Sequence, residues 1–135
     1  MDIEDHPSKA DIDELEELLN EFNFATTGIR DGLEVAIFER DEAGRMVAGL
    51  YGWTWGGHCE IDMLWLDESL RKQGKGTLML RAAEEEARRR GCTQVTLGSH
   101  GFQAPDFYLR HGYTLVASVD DYPRGSSDNW FLKRL

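Results

Sequence analysis

Cysteine is scarce in this sequence, which contains only Cys59 and Cys92. Two cysteines are too few for a disulfide framework, and neither belongs to a C-x-x-C pair or lies near a histidine at the spacing of metal ligands. We therefore expect two reduced thiols in or near the core, and no metal site.

Long hydrophobic runs are absent as well. No apolar stretch approaches the roughly 18 residues that a membrane-spanning helix needs, and residues 1–5 have neither the positive charge nor the apolar character of a secretory signal. At 135 residues, of which 41% are hydrophobic, the chain can bury a real core. The expectation is one soluble, cytoplasmic domain over residues 1–135.

Positive charge is in short supply: 15 lysines and arginines stand against 25 aspartates and glutamates, which gives a formal net charge of -10. An acidic protein repels the phosphates of nucleic acids and of anionic membrane surfaces. The composition therefore argues against nucleic-acid and membrane partners and favours cationic ones.

Hydrophobic spacing predicts two long helices. Apolar residues from Ala10 to about Phe24 recur at helical intervals with acids on the other face, and a second pattern runs from about Gly74 to Arg90, where Gly91 ends the helix. On the second helix the predicted core face is Met79, Ala83 and Ala87, and the predicted i,i+4 ion pairs are Glu84–Arg88, Glu85–Arg89 and Glu86–Arg90.

Apolar runs bounded by turn residues predict six strands. The run from Met63 to Leu66 is nearly continuously apolar, which is typical of a central strand buried on both faces. The resulting fold class is α/β, with a mixed, mostly antiparallel central sheet and flanking helices. The expected strands are 33–40, 46–55, 59–66, 95–97, 113–119 and 130–135, with a short helix at 105–111.

The segment from Arg71 to Gly76 lies between a buried strand and the second long helix. Its backbone N–H groups are expected to converge at the helix N-terminus, which favours an anion. Gly74 and Gly76 allow the backbone to approach a phosphate closely. Arg71, Lys72 and Lys75 add local positive charge. A loop that carries solvated basic residues into the helix is the alternative, and the segment alone does not decide between the two.

Two further segments supply the context that decides. The strand Leu64–Leu66, the run 71–76 and the segment Phe107-Tyr108-x-x-x-Gly112-Tyr113 together resemble the GNAT superfamily of N-acetyltransferases, in that family's order and spacing. The resemblance covers roughly residue 33 to the C-terminus. It implies the GNAT (acyl-CoA N-acyltransferase) fold and direct transfer of an acetyl group from acetyl-CoA to an amine in a ternary complex, without a metal.

The resemblance also implies which residues bind the co-substrate. In that family, backbone groups at a bulge in the strand before the loop bind the thioester and pantetheine, which here points to Leu64 and Leu66, and a small residue four positions before the motif tyrosine matches Ala104. Many relatives have asparagine where this chain has Gly101, so one pantetheine hydrogen bond has to come from elsewhere. The implied pyrophosphate-binding residues are Arg71, Lys72, Gln73, Gly74, Lys75, Gly76 and Thr77.

Two carboxylates are candidates for removing a proton from the acceptor. An alkyl amine with a pKa near ~10.4 is almost entirely protonated at pH 7, so its attack on a thioester needs a base. Glu60 lies four residues before Leu64, where histone-acetylating relatives have their catalytic glutamate, and Asp62 would share its strand face by the period of two. The alternative for each is a solvated acid at a strand end or the partner of an arginine.

Tyr108 is the candidate acid. A leaving thiolate has a parent pKa near ~8.5, and a phenol with a pKa near ~10 beside it can donate a hydrogen bond or a proton. The alternative is a core tyrosine on a short amphipathic helix. Trp53 and Trp55 are equally well explained as acceptor-binding residues, through cation–π contacts, or as core residues, whereas Trp65 is interpreted as core. The lone histidines are not assigned a role.

The predicted function is therefore an acetyl-CoA-dependent N-acetyltransferase. Its acceptor would be the primary amine of a small molecule or a peptide, such as a polyamine, an amino sugar or a peptide N-terminus. A non-catalytic acyl-CoA-binding sensor or interaction module is the alternative, and Glu60 and Tyr108 distinguish the two. The resemblance is also compatible with a homodimer, since members of the superfamily often dimerise.

Overall fold

The first helix, α1 (Lys9–Thr27), is delimited by standard caps. The Ser8 hydroxyl accepts the N–H of Asp11 at 3.1 Å, and Gly28 follows the last turn in a left-handed conformation. The computed structural model describes all residues 1–135, which divide into two compact units, residues 1–30 and 31–135. No helix in the chain combines the length and the apolar character that crossing a membrane requires.

Residues 31–135 form a six-stranded sheet with two helices. The strands are β1 (Leu33–Arg40), β2 (Met46–Trp55), β3 (His58–Leu66), β4 (Gln94–His100), β5 (Thr114–Asp120) and β6 (Ser127–Arg134), and the helices are α2 (Lys75–Arg89) and α3 (Pro105–Arg110). The spatial order is β1-β2-β3-β4-β6-β5, and every neighbouring pair is antiparallel except β3–β4. The predicted mixed, mostly antiparallel sheet is confirmed.

The core of this unit lies between α2 and one face of the sheet. Met79, Ala83 and Ala87 of α2 are buried, as their helical spacing predicts. Cys59 is fully buried, and burial raises the pKa of its thiol to about 11, so it is an inert core residue. The other members of the core include Leu50, Ile61, Leu80, Val95, Leu97 and Phe131.

Glu84 is a charged residue inside this core. Its carboxylate accepts hydrogen bonds from the Lys133 ammonium, at 2.9 Å to each oxygen, and from the Tyr113 hydroxyl at 3.1 Å. The predicted Glu84–Arg88 pair is therefore wrong, because the helix turns position 84 toward the sheet instead of toward solvent. The buried carboxylate has a full set of partners, which a charge in such a place requires.

The ion pairs on the exposed side of α2 differ from the prediction in one more place. Arg89 pairs with Glu86 three residues before it, so the predicted Glu85–Arg89 pair does not form. The predicted Glu86–Arg90 pair is present, and Glu85 pairs with Arg88. Both i,i+3 and i,i+4 neighbours are within reach on a helix surface, and the sequence does not choose between them.

Candidate active site

A groove opens where strands β3 and β4 separate. Their parallel pairing extends from His58–Gln94 to Ile61–Leu97 and no further. Beyond it, the two strands form opposite walls of a groove of about 1120 Å³, which the start of α2 and helix α3 also line. This volume exceeds that of a typical site for one small ligand, so two reactants can lie in it together.

A β-bulge in β3 lies at the point of separation. Tyr51 pairs with Met63 and Gly52 pairs with Ile61, so Asp62 is an extra residue without a partner on β2. The bulge implied by the family resemblance is thus present. It also interrupts the period of two, so the regular alternation that placed Glu60 and Asp62 on one face does not hold at Asp62.

The sequence makes room for this bulge with a glycine. A Cβ on Gly52 would lie 2.1 Å from the carbonyl oxygen of Glu60 and 3.0 Å from Cα of Ile61. Both neighbours are backbone atoms, which cannot move aside without breaking the pairing of β2 and β3. Gly52 therefore permits the irregular geometry that shapes the head of the groove.

Replacing this glycine should destabilise the protein. We expect Gly52→Ala to lower the free energy of unfolding by about 1–3 kcal/mol, the usual cost of inserting a methyl group where no space exists. Gly49→Ala on the same strand is the matched control, since its Cβ would meet side-chain atoms of Met46 and Phe38 at 3.4 and 3.5 Å and the Ile37 carbonyl oxygen at 3.8 Å, all at ordinary contact distances. Urea denaturation of both variants measures the difference, and equal stabilities would contradict the bulge.

The N-terminus of α2 faces the groove. Gly74 is its N-cap, at φ +78°, and the first intrahelical bond is donated by Leu78 to Gly74 at 3.1 Å. The three N–H groups of residues 75–77 therefore have no partner in the helix, and they coincide with the positive end of its dipole. A Cβ on Gly74 would meet nothing within 4 Å, and residues 74–77 all line the groove. The arrangement fits a diphosphate.

The basic side chains of this loop are less available than expected. Lys75 forms an ion pair with Glu39 of β1 at 2.9 Å, so its charge is largely offset. The Arg71 side chain donates from Nε to the carbonyl of Leu66 at 3.2 Å and forms no ion pair. Lys72, held at φ +60°, also has no carboxylate partner. The positive charge left for an anion comes mainly from Arg71 and Lys72.

Glu60 lies in the wall of the groove, opposite Trp53 of β2 and Thr96 of β4. No arginine pairs with its carboxylate, so the alternative of a structural ion pair does not apply. Partial burial, and then the neighbouring charge of Asp62, raise the pKa of Glu60 above its ordinary 4.5. A carboxylate of raised basicity in a groove wall is suited to accept a proton.

Tyr108 projects from α3 into the same groove. Its ring packs among core aromatics, with its centroid 5.9 Å from that of Tyr113 and 6.0 Å from that of Phe131. Burial raises the pKa of Tyr108 to about 12. Its hydroxyl has no hydrogen-bond partner within the protein, whereas the Tyr113 hydroxyl donates to Glu84. Tyr108 is therefore a protonated donor that a ligand in the groove can use.

Comparison with known proteins decides the family. The model of the acetyltransferase (GNAT) family matches residues 2–113. The chain belongs to this family of acetyltransferases. It is 39% identical over 108 residues to the blasticidin-S acetyltransferase of Streptomyces morookaense, with 76% of this chain and 77% of that protein covered.

Solved structures agree with this assignment. A crystal structure of an acetyltransferase from Bacillus cereus superposes with a TM-score of 0.79 at 33% identity, over 100% of this chain and 99% of the other. An aminoglycoside 6'-N-acetyltransferase crystallised with coenzyme A superposes with a TM-score of 0.65 at 20% identity, over 94% and 81% of the two chains, and shows the shared fold.

The tryptophans of the acetyltransferase are placed differently from expectation. Trp65 is 47% exposed and lines the groove, so its interpretation as a core residue is wrong. The reason is that β4 has already left β3 at this position, which uncovers the outer half of the strand. Trp53 and Trp55 do not line the groove, although Trp53 is the cross-strand neighbour of Glu60.

The remaining residues predicted to bind the co-substrate border the groove, with one exception. Leu64 and Leu66 pack partly against the core beyond the bulge, and the N–H of Ala104 donates to the Ser99 hydroxyl at 3.3 Å. Gln73 is an exception, because its side-chain amide donates to the carbonyl of Ser69 at 2.7 Å. The predicted residues that line the groove are Glu60, Asp62, Leu64, Leu66, Arg71, Lys72, Gly74, Lys75, Gly76, Thr77, Ala104 and Tyr108.

Sequence reasoning missed the far wall of the groove. Trp130 lies opposite Gly98 in the β4–β6 pairing, and its indole N–H donates to the Asp128 carboxylate at 3.1 Å. The His100 ring stacks on Phe102 with centroids 5.4 Å apart. The predicted strands ended at Leu97 and began at Trp130, so His100, Phe102 and Asp128 fell in predicted loops. The alternation of β4 continues through His100, and following it would have placed His100 on the strand.

Proposed function

We propose that this acetyltransferase transfers the acetyl group of acetyl-CoA to the primary amine of a small molecule or a peptide, by direct attack within the groove. One observation carries the proposal: the uncapped N–H groups of α2, the carboxylate of Glu60 and the hydroxyl of Tyr108 all line the same groove. An anion site, a base and an acid are the groups that this transfer needs.

The residues present fit acetyl-CoA, which supplies the activated acetyl group when it is bound. The N–H groups of residues 75–77, with Arg71 and Lys72, would hold its diphosphate. Past Ile61, the backbone of β3 no longer pairs with β4. Apart from the Leu66 carbonyl, which accepts from Arg71, the backbone groups that this separation frees near Leu64 and Leu66 are available to the amides of pantetheine.

Glu60 is the proposed base. A protonated amine that enters the groove meets a carboxylate whose pKa is raised by burial and by Asp62, so the proton can pass to an oxygen of Glu60 directly or through one water. The same carboxylate favours the cationic form of the amine while it binds. Tyr108 is the proposed acid, since its hydroxyl carries a proton that can be delivered to the departing sulfur.

A small cationic acceptor is favoured by the walls of the groove. Asp62 adds negative charge beside Glu60, Asp128 adds a further carboxylate to the groove lining, and the rings of Trp65 and Trp130 offer faces for cation–π contacts. The likeness to a blasticidin-S acetyltransferase supports a small-molecule acceptor as well, because that protein is named for acetylating an antibiotic. A peptide amine remains the second class within the proposal.

Turnover tests the proposal directly. The purified protein would be incubated with acetyl-CoA and a panel of amines that includes blasticidin S, amino sugars, polyamines and short peptides, and release of the thiol would be followed with a thiol reagent. We expect amine-dependent release with at least one cationic small molecule. Tight binding of acetyl-CoA without release for any amine would instead support the non-catalytic sensor.

Removing the hydroxyl of Tyr108 should slow the reaction. We expect Tyr108→Phe to lower kcat by at least about tenfold, because proton transfer by a positioned group contributes about 10²–10⁴-fold. Tyr51→Phe, which removes a phenol outside the groove, should retain the wild-type rate. Since burial raises the pKa of Tyr108 to about 12, the wild-type rate should show no alkaline decline from this residue below pH 10. An unchanged rate in Tyr108→Phe would end the acid assignment.

A further inference from the structure

His111 is a groove residue that the proposed mechanism does not use. It is the C-cap of α3, and its ring connects α3 to the first turn of α2. Its Nδ1 lies 2.6 Å from the carbonyl oxygen of Phe107, and its Nε2 lies 2.9 Å from the hydroxyl oxygen of Thr77. Thr77 also lines the groove, and its N–H is the third of the free donors at the start of α2.

The two hydrogen bonds determine where the protons lie. The Phe107 carbonyl is only an acceptor, so Nδ1 of His111 carries a proton. In the neutral ring Nε2 is then an acceptor, and the Thr77 hydroxyl must donate to it. The single hydroxyl proton of Thr77 is thereby engaged with the histidine and cannot be offered to an anion at the N-terminus of α2.

Protonation of His111 reverses this bond. When Nε2 carries a proton, it donates to the Thr77 oxygen, and the hydroxyl proton is free to turn toward the anion site. The ring also gains a positive charge, and only the Thr77 side chain separates it from the first turn of α2. Both changes strengthen the binding of an anion, and neither moves the backbone.

The unpaired charges around His111 are mostly cationic, and they disfavour a protonated ring until an anion is bound. Arg110 is its neighbour on α3, and Arg71 and Lys72 line the same groove. Two other lysines already have carboxylate partners, since Lys75 forms an ion pair with Glu39 and Lys133 forms one with Glu84. The Lys133 side chain passes close to Gly112. Asp106, in the first turn of α3, is the acid on that helix. A bound diphosphate would therefore be the strongest negative charge beside the histidine.

We infer that His111 is a positioning residue for the diphosphate of the co-substrate, and that protonated His111 tightens binding by releasing the Thr77 hydroxyl. The inference rests on the proposed co-substrate site and adds to it a residue and a pH dependence. By linkage, the bound diphosphate favours the protonated ring to the same extent.

Calorimetric binding of 3'-dephospho-coenzyme A at pH 6.0 and 8.0 tests it. This ligand keeps the diphosphate and lacks the 3'-phosphate, whose own titration would confuse the result. We expect the wild type to bind about fivefold tighter at pH 6.0, which is the worth of one added hydrogen bond. His111→Gln cannot titrate and should bind with less than twofold dependence on pH. Thr77→Val should lose most of the gain at pH 6.0, and Thr77→Ser should retain it.

The outcomes separate this inference from the proposed function. Binding of equal strength at both pH values, or a wild-type pH dependence in His111→Gln, would overturn the role of His111 and leave the co-substrate site standing. No binding at either pH would overturn the site itself. Proton NMR gives a second measure that does not depend on the variants being equally stable: adding the ligand should move the titration midpoint of one histidine ring upward, and no movement would contradict the linkage.

Discussion

Glu60→Gln should lower kcat by about 10²–10⁴-fold, the range that a positioned base contributes. The amide has nearly the shape of the carboxylate and cannot accept the proton of the acceptor amine. The expected loss is large because the ammonium form dominates at neutral pH and no other unpaired carboxylate on β3 besides Asp62 lines the groove. Steady-state kinetics with the best amine of the panel measures it.

The dependence of kcat on pH tests whether Glu60 acts in its ionised form. The base works when ionised, so the wild-type kcat should fall as pH drops through the pKa of Glu60, which lies above its ordinary 4.5. Asp62→Asn is the matched control. This variant removes a carboxylate from the same strand, and with it a charge that helps to raise the pKa of Glu60. The decline of kcat at acidic pH should therefore shift to lower pH, while kcat at neutral pH should be largely retained. A Glu60→Gln variant within twofold of the wild type would contradict the assignment.

Gly74→Trp should abolish measurable binding of coenzyme A. Gly74 is the N-cap of α2 and lines the groove, and a Cβ there meets nothing within 4 Å, so an indole at this position would extend into the groove and crowd an anion at the free N–H groups. We expect an affinity loss of more than about 100-fold, since several hydrogen bonds to a charged group, each worth ~1.5–3 kcal/mol, would be lost together. Isothermal titration calorimetry checks the result.

Gly44→Trp controls for the strain of this substitution. Gly44 has φ +81°, close to the +78° of Gly74, and it too would place a Cβ in open space, in the turn between β1 and β2 outside the groove. Both variants carry the same penalty of about 1–2 kcal/mol for a left-handed non-glycine residue. If Gly44→Trp binds coenzyme A and Gly74→Trp does not, the loss comes from the site and not from instability. Equal binding by both would remove the anion site from this loop.

Much of the fold could be read from local signals. The strands 33–40 and 46–55 are predicted with the observed bounds because charged and glycine-containing turns mark their ends. The helix α2 is predicted within one residue at each end, since Gly74 and Gly91 stop the periodic pattern. The loop before it was recognisable because three sequence segments agree in order and spacing, and the family comparison confirms that recognition.

Other features depend on which strands become neighbours. Trp65 belongs to an apolar run that is typical of a buried strand, and it is exposed only because β4 diverges after Leu97. The pairing of Glu84 with Lys133 joins residues that are far apart in sequence, so no local spacing predicts it. The same holds for the wall formed by His100, Asp128 and Trp130, whose members meet only across the β4–β6 pairing.

The sequence by itself therefore determined the class of fold and the helix that presents free amides, because both depend on periodicity and turns within short segments. Its resemblance to a family singled out Glu60 and Tyr108 as candidates. The tertiary structure alone decided that β3 and β4 part after Ile61, and that His111 meets Thr77 across two helices. Separation of strands and contact between helices are set by packing among distant segments, which local patterns do not record.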